Sequence, residues 1–198
     1  MGREIEIKIP LTDEEYKSIF SFVNGNTVHG LSHILKNDTY FSLYDTEEER
    51  RASRESARPE PTVIRIRSEE VLDSEISGQK KSYFCYKFKT IENGVEFNSE
   101  NESFIQNEEV IRSFLLAVGY KIYFEKTKDA LSVYCSVDQV EFHLELEKVN
   151  GLKYVEIEVT QSHLSADLVK SALENFVTSL GLDVSKRDSR SWMKIIGG

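Results

Sequence analysis

Glu4-Ile5-Glu6-Ile7-Lys8 sets three charges against two isoleucines in strict alternation. Successive side chains of a strand point to opposite faces, so Glu4, Glu6 and Lys8 share one face and the isoleucines the other. One strand of that kind reads as half-buried, with a solvated polar face. The pattern recurs down the chain, and the polar face keeps being charged. Arg65 and Arg67 lie opposite Ile64 and Ile66, and Lys87 and Lys89 opposite Tyr86 and Phe88. Glu100 and Glu102 are spaced two apart, as are Lys126 and Lys128. Glu145 and Glu147 oppose Leu144 and Leu146, while Glu156 and Glu158 oppose Val155, Ile157 and Val159.

Seven strands therefore carry eight carboxylates and seven Lys or Arg side chains on single faces. An ordinary solvent face mixes in Thr, Ser and Gln; these are charged twice over and sorted by sign, whole strands being acidic or basic. Like charges two apart gain little unless opposite charges or ions lie across from them. A sheet curled until these faces meet gives a polar lumen, with the isoleucine faces outside under helices. Burying so many charges is tolerable only if they pair or bind ions. The ligand this implies is rich in negative charge and accompanied by divalent cations, with carboxylates on the metal and Lys and Arg on phosphate oxygens.

Composition narrows the setting. The 198 residues suffice for one well-buried core, and the chain reads as a single domain over 1–198. With 25 Lys and Arg against 34 Asp and Glu, the formal charge of -9 argues against a non-specific grip on nucleic acid. No apolar run approaches the roughly 20 residues needed to span a bilayer, and the charged start lacks a signal-peptide stretch. Cys85 and Cys135 fall on separate strand patterns without CxxC or nearby His spacing, which reads as reduced core thiols. The cytoplasm is the simplest location. His29, His33, His143 and His163 are scattered without ligand spacing and read as structural or exposed.

Thr12-Asp13-Glu14-Glu15 is a capping box, continued by Tyr16, Ile19, Phe20 and Val23 as an amphipathic helix. A second helix runs from about Asn107 to Gly119, and a third from near Ser165 to Gly181. Nine strand runs surround them: Arg3–Ile9, Asp38–Leu43, Val63–Ser68, Tyr83–Thr90, Val95–Ser103, Lys121–Lys128, Leu131–Ser136, Val140–Val149 and Lys153–Thr160. This is a β-rich α+β chain, its strands too close together for repeated βαβ units. Residues 45–61 hold almost no apolar side chain and read as a solvated or disordered loop, and Glu69 to Lys81 as a shorter flexible connection.

Taken together, the pairs resemble the CYTH superfamily, also called triphosphate tunnel metalloenzymes, which includes class IV adenylyl cyclases, thiamine triphosphatases and inorganic triphosphatases. The likeness rests on E-x-E-x-K at Glu4, Glu6 and Lys8, then Thr39-Tyr40-Phe41, Arg65-Ile66-Arg67 and Tyr86-Lys87-Phe88-Lys89. It continues through Glu100-x-Glu102, Lys126-x-Lys128 and Glu156-Ile157-Glu158. Ser189-Arg190-Ser191-Trp192 is similar to the R-S-Y ending frequent in the cyclase-like branch. The resemblance covers nearly the whole chain. It departs at Asn98, the first position of R-x-E-x-E, and at Lys128, the last of K-x-R. Glu147 also stands where an Asp is usual, and Lys153 where a glycine is common.

The resemblance implies an eight-stranded antiparallel barrel, closed into a tunnel with a charged lumen, that binds a triphosphate such as ATP or tripolyphosphate with Mg²⁺ or Mn²⁺. Glu4 and Glu6, joined by Glu156 or Glu158, would hold the metal. Lys8, Arg65, Arg67, Lys87, Lys89, Lys126, Lys128 and Arg190 would hold phosphate oxygens. Phosphoryl chemistry of this kind needs no protein nucleophile. A lysine whose pKa is lowered by neighbouring cations, Lys126 or Lys128, can serve as general base. The expected activity is a class IV adenylyl cyclase making cyclic AMP and pyrophosphate. The alternatives are an inorganic or thiamine triphosphatase and a non-catalytic triphosphate-binding module. No membrane partner is expected, and homodimer formation is left open.

Overall fold

The computed structural model describes residues 2–54, 61–72, 80–92, 95–138, 140–161 and 166–197. The strands are β1 (Gly2–Pro10), β2 (His29–Ser42), β3 (Val63–Val71), β4 (Lys80–Glu92), β5 (Val95–Ile105), β6 (Lys121–Val137), β7 (Val140–Val149) and β8 (Leu152–Gln161). The helices are α1 (Asp13–Val23), α2 (Glu47–Arg54), α3 (Glu108–Ala117), α4 (Ala166–Ser179) and α5 (Trp192–Ile196), with a 3₁₀ turn at Val184–Lys186. Every strand pairing is antiparallel, and the strands close on themselves in the order β1-β5-β4-β3-β2-β6-β7-β8. A barrel of eight strands leaves an interior just wide enough for side chains or one small ligand.

The alternation read from the sequence decides what faces out. Ile7 and Ile9 of β1 are fully buried, packed with Leu144, Leu146, Val155 and Ile157 of the neighbouring strands. Ile19 and Val23 of α1, and Val169, Leu173 and Phe176 of α4, cover this layer. Phe142 stacks on Phe176 with ring centroids 4.3 Å apart. Each such aliphatic or aromatic side chain contributes roughly 1.5–3 kcal/mol by leaving water. A second layer joins Phe41, Ile64 and Ile66 to Leu115 of α3. The barrel wall thus has its apolar core outside and its charges inside.

Local chemistry sets the ends of these elements. At α1 the capping box is complete: Glu15 N donates to Thr12 Oγ1, and Thr12 N donates to the Glu15 carboxylate at 2.8 Å. Asn107 caps α3, and Gly119 ends it at φ +99°. Between β7 and β8, Asn150 (φ 50°) and Gly151 (φ 81°) join the paired Val149 and Leu152. Two positive φ values make this a two-residue turn whose twist suits a hairpin, which is why Asn-Gly stands there.

The structure revises several expectations, among them the run Asp38–Leu43, which up to Ser42 is the end of the longer β2. The runs Lys121–Lys128 and Leu131–Ser136 are one strand, because Asp129 and Ala130, weak strand formers, keep their pairing with both Leu35/Ile34 and Lys148/Glu147. Part of the expected loop over 45–61 is the helix α2, and residues 55–60 lie outside the described residues. Its Thr46 and Glu49 form a second reciprocal cap. Its Arg50, buried, stacks 4.3 Å from the Tyr123 ring and donates to the Tyr44 carbonyl at 3.1 Å. The expected connection from Glu69 to Lys81 is shorter, since β3 reaches Val71 and β4 starts at Lys80; residues 73–79 lie outside the described residues. Among the described residues no helix is long and apolar enough to cross a membrane.

Candidate functional site

The lumen is a cavity of about 980 Å³, at the upper end of the size range of small-ligand sites. Of the fifteen charges paired in the sequence, all line it except Glu147, which is buried beside it, and Glu4, whose side chain lies outside the described residues. Barrel order sorts them. The consecutive strands β4, β3, β2 and β6 supply Lys87, Lys89, Arg65, Arg67, Lys36, Lys126 and Lys128. The other half, β7, β8, β1 and β5, supplies Glu145, Glu156, Glu158, Glu6, Glu100 and Glu102. A basic half-wall therefore faces an acidic one. Lys8, on β1, and Glu69, on β3, are exceptions in the two halves.

On the basic side the organising residue is Asp38 of β2, which sequence reading missed. Arg67 grips it with both prongs, Nε to Oδ1 at 2.7 Å and Nη2 to Oδ2 at 3.0 Å. Lys126 lies 3.4 Å and Arg65 3.8 Å from Oδ2, and Tyr40 donates its hydroxyl to the same oxygen at 3.2 Å. Burial opposes the charge, yet Arg67, Arg65 and Lys126 hold the Asp38 carboxyl well below the usual carboxylate range. Lys126 is lowered too, which for a lysine disfavours the charged form. Burial, reinforced by the charge of Lys128, pushes its ammonium well below the ordinary lysine value. Lys87 reaches Glu100 at 3.3 Å, and Arg65 reaches it at 3.5 Å. Lys89 lines the cavity beside Lys87.

On the acidic side, one oxygen each of Glu145, Glu147 and Glu156 lie within 4.8 Å of one another. Lys36 pairs with Glu145, and Lys128 with both Glu147 and Glu156, the latter at 2.6 Å. Burial resists the charges of Lys128 and Glu156, but Glu147 and then Glu156 raise the lysine, and Lys128 lowers the Glu156 carboxyl. Glu147 goes up, pushed by burial and by the charge of Glu156, and its Oε2 is buried without a hydrogen-bond partner. An all-oxygen set with an unsatisfied buried oxygen suits a hard divalent cation such as Mg²⁺ or Mn²⁺.

The remaining expected ligands are distributed differently. Glu6 stands directly across from Glu158 in the β1–β8 register, and Lys8 across from Glu156. Glu158 Oε1 lies 2.8 Å from His143 Nδ1, whose Nε2 is 2.7 Å from Ser132 Oγ. His143 thus belongs to the lumen, contrary to its reading as structural or exposed; its place on the face of Glu145 and Glu147 was the signal. Cys85 is a free buried thiol, but it faces the charges: its Sγ is 2.6 Å from Glu100 Oε1, and burial pushes its pKa up to about 12. Cys135 sits in the outer core as expected.

The C-terminal segment closes over the same groups. Arg190 grips Asp188 through Nε (2.9 Å) and Nη2 (2.7 Å), and its carbonyl accepts from Lys8 Nζ at 2.7 Å. Trp192 of α5 donates Nε1 to Glu156 at 2.9 Å. Its ring lies 4.9–5.3 Å from the ammonium groups of Lys126, Lys8 and Lys128, and packs edge-on against Tyr154. From the other direction α2 brings Glu47 and Arg51 to the cavity lining.

No family model and no curated protein matches the chain. Solved structures do. A Pyrococcus horikoshii protein superposes with a TM-score of 0.71 at 20% identity, covering 98% of this chain and 97% of its own. A candidate adenylate cyclase from Vibrio parahaemolyticus gives 0.63 at 14% identity, covering 98% of each chain. An adenylyl cyclase homologue from Hippeastrum, described as having a dominant triphosphatase activity, gives 0.59 at 16% identity, covering 98% of this chain and 93% of its own. The chain has the β-rich α+β fold of the CYTH-type triphosphate tunnel proteins, a closed barrel of eight antiparallel strands with helices outside. The proteins of similar fold include ones described as adenylyl cyclases and one described as having triphosphatase activity.

Proposed function

We infer that the tunnel is a metal-dependent triphosphate-processing site. The observation that carries this reading is the division of the lumen into a basic and an acidic half-wall. A triphosphate lying between them places its oxygens on Arg65, Arg67, Lys87, Lys89, Lys126 and Lys128, with Lys8 and Arg190 at the end roofed by Trp192. Glu156, with Glu145 and Glu147 beside it, Glu158 two residues further along β8, and Glu4 and Glu6 on the neighbouring β1, would hold Mg²⁺ or Mn²⁺. The bound cation supplies charge neutralisation and orientation of the phosphate oxygens. The chain's own part is electrostatic preorganisation: cations fixed before the substrate arrives, in a lumen partly closed to water. Lys126, held below the ordinary lysine value, is the residue suited to take a proton from the attacking oxygen.

The first reaction we assign is attack of the ribose 3′-hydroxyl on the α-phosphate of ATP, giving cyclic AMP and pyrophosphate. The Ser189-Arg190-Ser191-Trp192 ending supports it. The second is attack of water on the terminal phosphorus, supported by the activity described for the Hippeastrum protein. Incubation with ATP or tripolyphosphate and Mg²⁺ or Mn²⁺, with products identified, separates them. Cyclic AMP marks the cyclase and orthophosphate the triphosphatase. Binding without turnover marks the non-catalytic module and refutes the enzymatic reading. Glu6→Gln is expected to lower metal-dependent turnover by about 10²-fold, as loss of a direct ligand does.

A further inference from the structure

Glu145 and Glu156 are directly opposed on β7 and β8, and Glu147 completes their cluster. Carboxylates placed opposite each other repel, so the sheet holds them together only with a cation among them. The structure supplies two from its own chain: Lys36 pairs with Glu145, and Lys128 serves the other two carboxylates. Lys128 of β6 spans Glu147 Oε1 and Glu156 Oε2, with its side chain almost wholly enclosed, while Glu147 Oε2 stays buried and unsatisfied. One ammonium serves two carboxylates of a three-carboxylate seat and leaves an oxygen unused.

We propose that Lys128 is an exchangeable internal cation: a divalent metal entering the Glu145–Glu147–Glu156 seat displaces its ammonium, which moves into the lumen to hold phosphate. This deepens the metal-dependent reading of the tunnel and rests on it. The geometry allows the move, because Lys128 also lines the cavity and its amine lies 5.3 Å from the Trp192 ring, beside Lys126 and Lys8. The residue type allows it as well. An ammonium is a point charge on a flexible stem, whereas the arginine usual in the resembling sequences would clamp the carboxylates with a planar fork. Metal and triphosphate then bind cooperatively, and the coupling is reciprocal: metal frees a cation for phosphate, and phosphate draws that cation off the metal seat.

The test uses Mn²⁺ alone, titrated calorimetrically into wild type and Lys128→Met, with no triphosphate and no turnover. Removing a competing charge from the ligand carboxylates is expected to tighten Mn²⁺ binding by about tenfold or more. Equal or weaker binding by the variant, or no binding by either protein, overturns the proposal. A second measurement needs only the wild type. The side-chain methylene resonance of Lys128, identified by its loss in Lys128→Arg, is expected to shift on saturation with Mg²⁺. A resonance unmoved at saturation overturns the exchange. Prior addition of tripolyphosphate is expected to tighten Mn²⁺ binding to wild type more than to Lys128→Met, and an equal effect on both refutes the coupling. A protein that passes these tests yet processes no triphosphate would refute the proposed reaction and leave the exchange standing.

Discussion

Replacing Asp38 by Asn keeps the shape of the side chain and removes one charge from the most crowded part of the tunnel. Three cations share that carboxylate: Arg67 through two bonds, Lys126 at 3.4 Å and Arg65 at 3.8 Å. None of them reaches bulk water easily, since all three guanidinium or ammonium side chains are largely buried. Removing one partner from a buried ion cluster costs about 3–5 kcal/mol, because the other charges stay behind uncompensated. Against a total stability of about 5–15 kcal/mol that is a large fraction. For a chain of this size it corresponds to a fall in Tm of about 6–20 °C. The same vacancy makes the empty tunnel a better polyanion site, so tripolyphosphate is expected to raise the Tm of Asp38→Asn more than that of wild type. At about 100-fold excess over its Kd it returns about 2.7 kcal/mol. The assay is thermal unfolding of both proteins with and without tripolyphosphate. A fall under about 2 °C, less than 1 kcal/mol predicts, would refute the view that Asp38 neutralises the basic half-wall, as would an equal Tm gain in both proteins.

Two further outcomes test the outer core and the closing segment. Ile7→Ala removes a fully buried side chain beneath α1 and α4 and is expected to cost about 2–5 kcal/mol, read from urea unfolding; a loss below about 1 kcal/mol would mean the layer collapses around the cavity. The hydrogen bonds from Arg190 pull the Asp188 carboxyl down to about 2, so its contribution is complete above the ordinary carboxylate value and is lost as pH falls through the lowered one. Stability of Asp188→Asn is therefore expected to fall less steeply than wild type between about pH 4 and pH 2, and parallel curves would show that the Arg190 contact adds nothing.

Most of the wall was legible because aliphatic residues stand opposite the charges. Ile64 and Ile66 mark Arg65 and Arg67 as the other face, and Val155 and Ile157 do the same for Glu156 and Glu158. Lys36 and Asp38 escaped because β2 reads Lys36-Asn37-Asp38-Thr39-Tyr40, polar on both faces, with opposite signs on the inward one. Nothing local says which face is buried until β3 and β6 are in place. The helix α2 escaped for a related reason. Thr46 and Glu49 form a legible cap, but no apolar stripe follows, and Arg50 docks the helix by stacking its guanidinium on Tyr123. Which charges pair could not be read at all. Lys128 meets Glu147 and Glu156 only because β6, β7 and β8 curl together, a property of closure and not of any one strand.

That closure also has a consequence for how the chain reaches its native state. β1 pairs with β5 on one side and β8 on the other, and Lys8 bonds the Arg190 carbonyl across 182 residues of sequence. β1 therefore keeps its isoleucine face uncovered and its edges unpaired until β5 and β8, both remote from it in sequence, are in place. Long-range pairing of this kind is slow to form and exposed to aggregation meanwhile. Charged side chains on an unpaired strand make it a poorer template for another chain, and β1 carries Glu6 and Lys8. The same Glu6 and Lys8 that line the tunnel after closure therefore also disfavour edge-to-edge pairing before it.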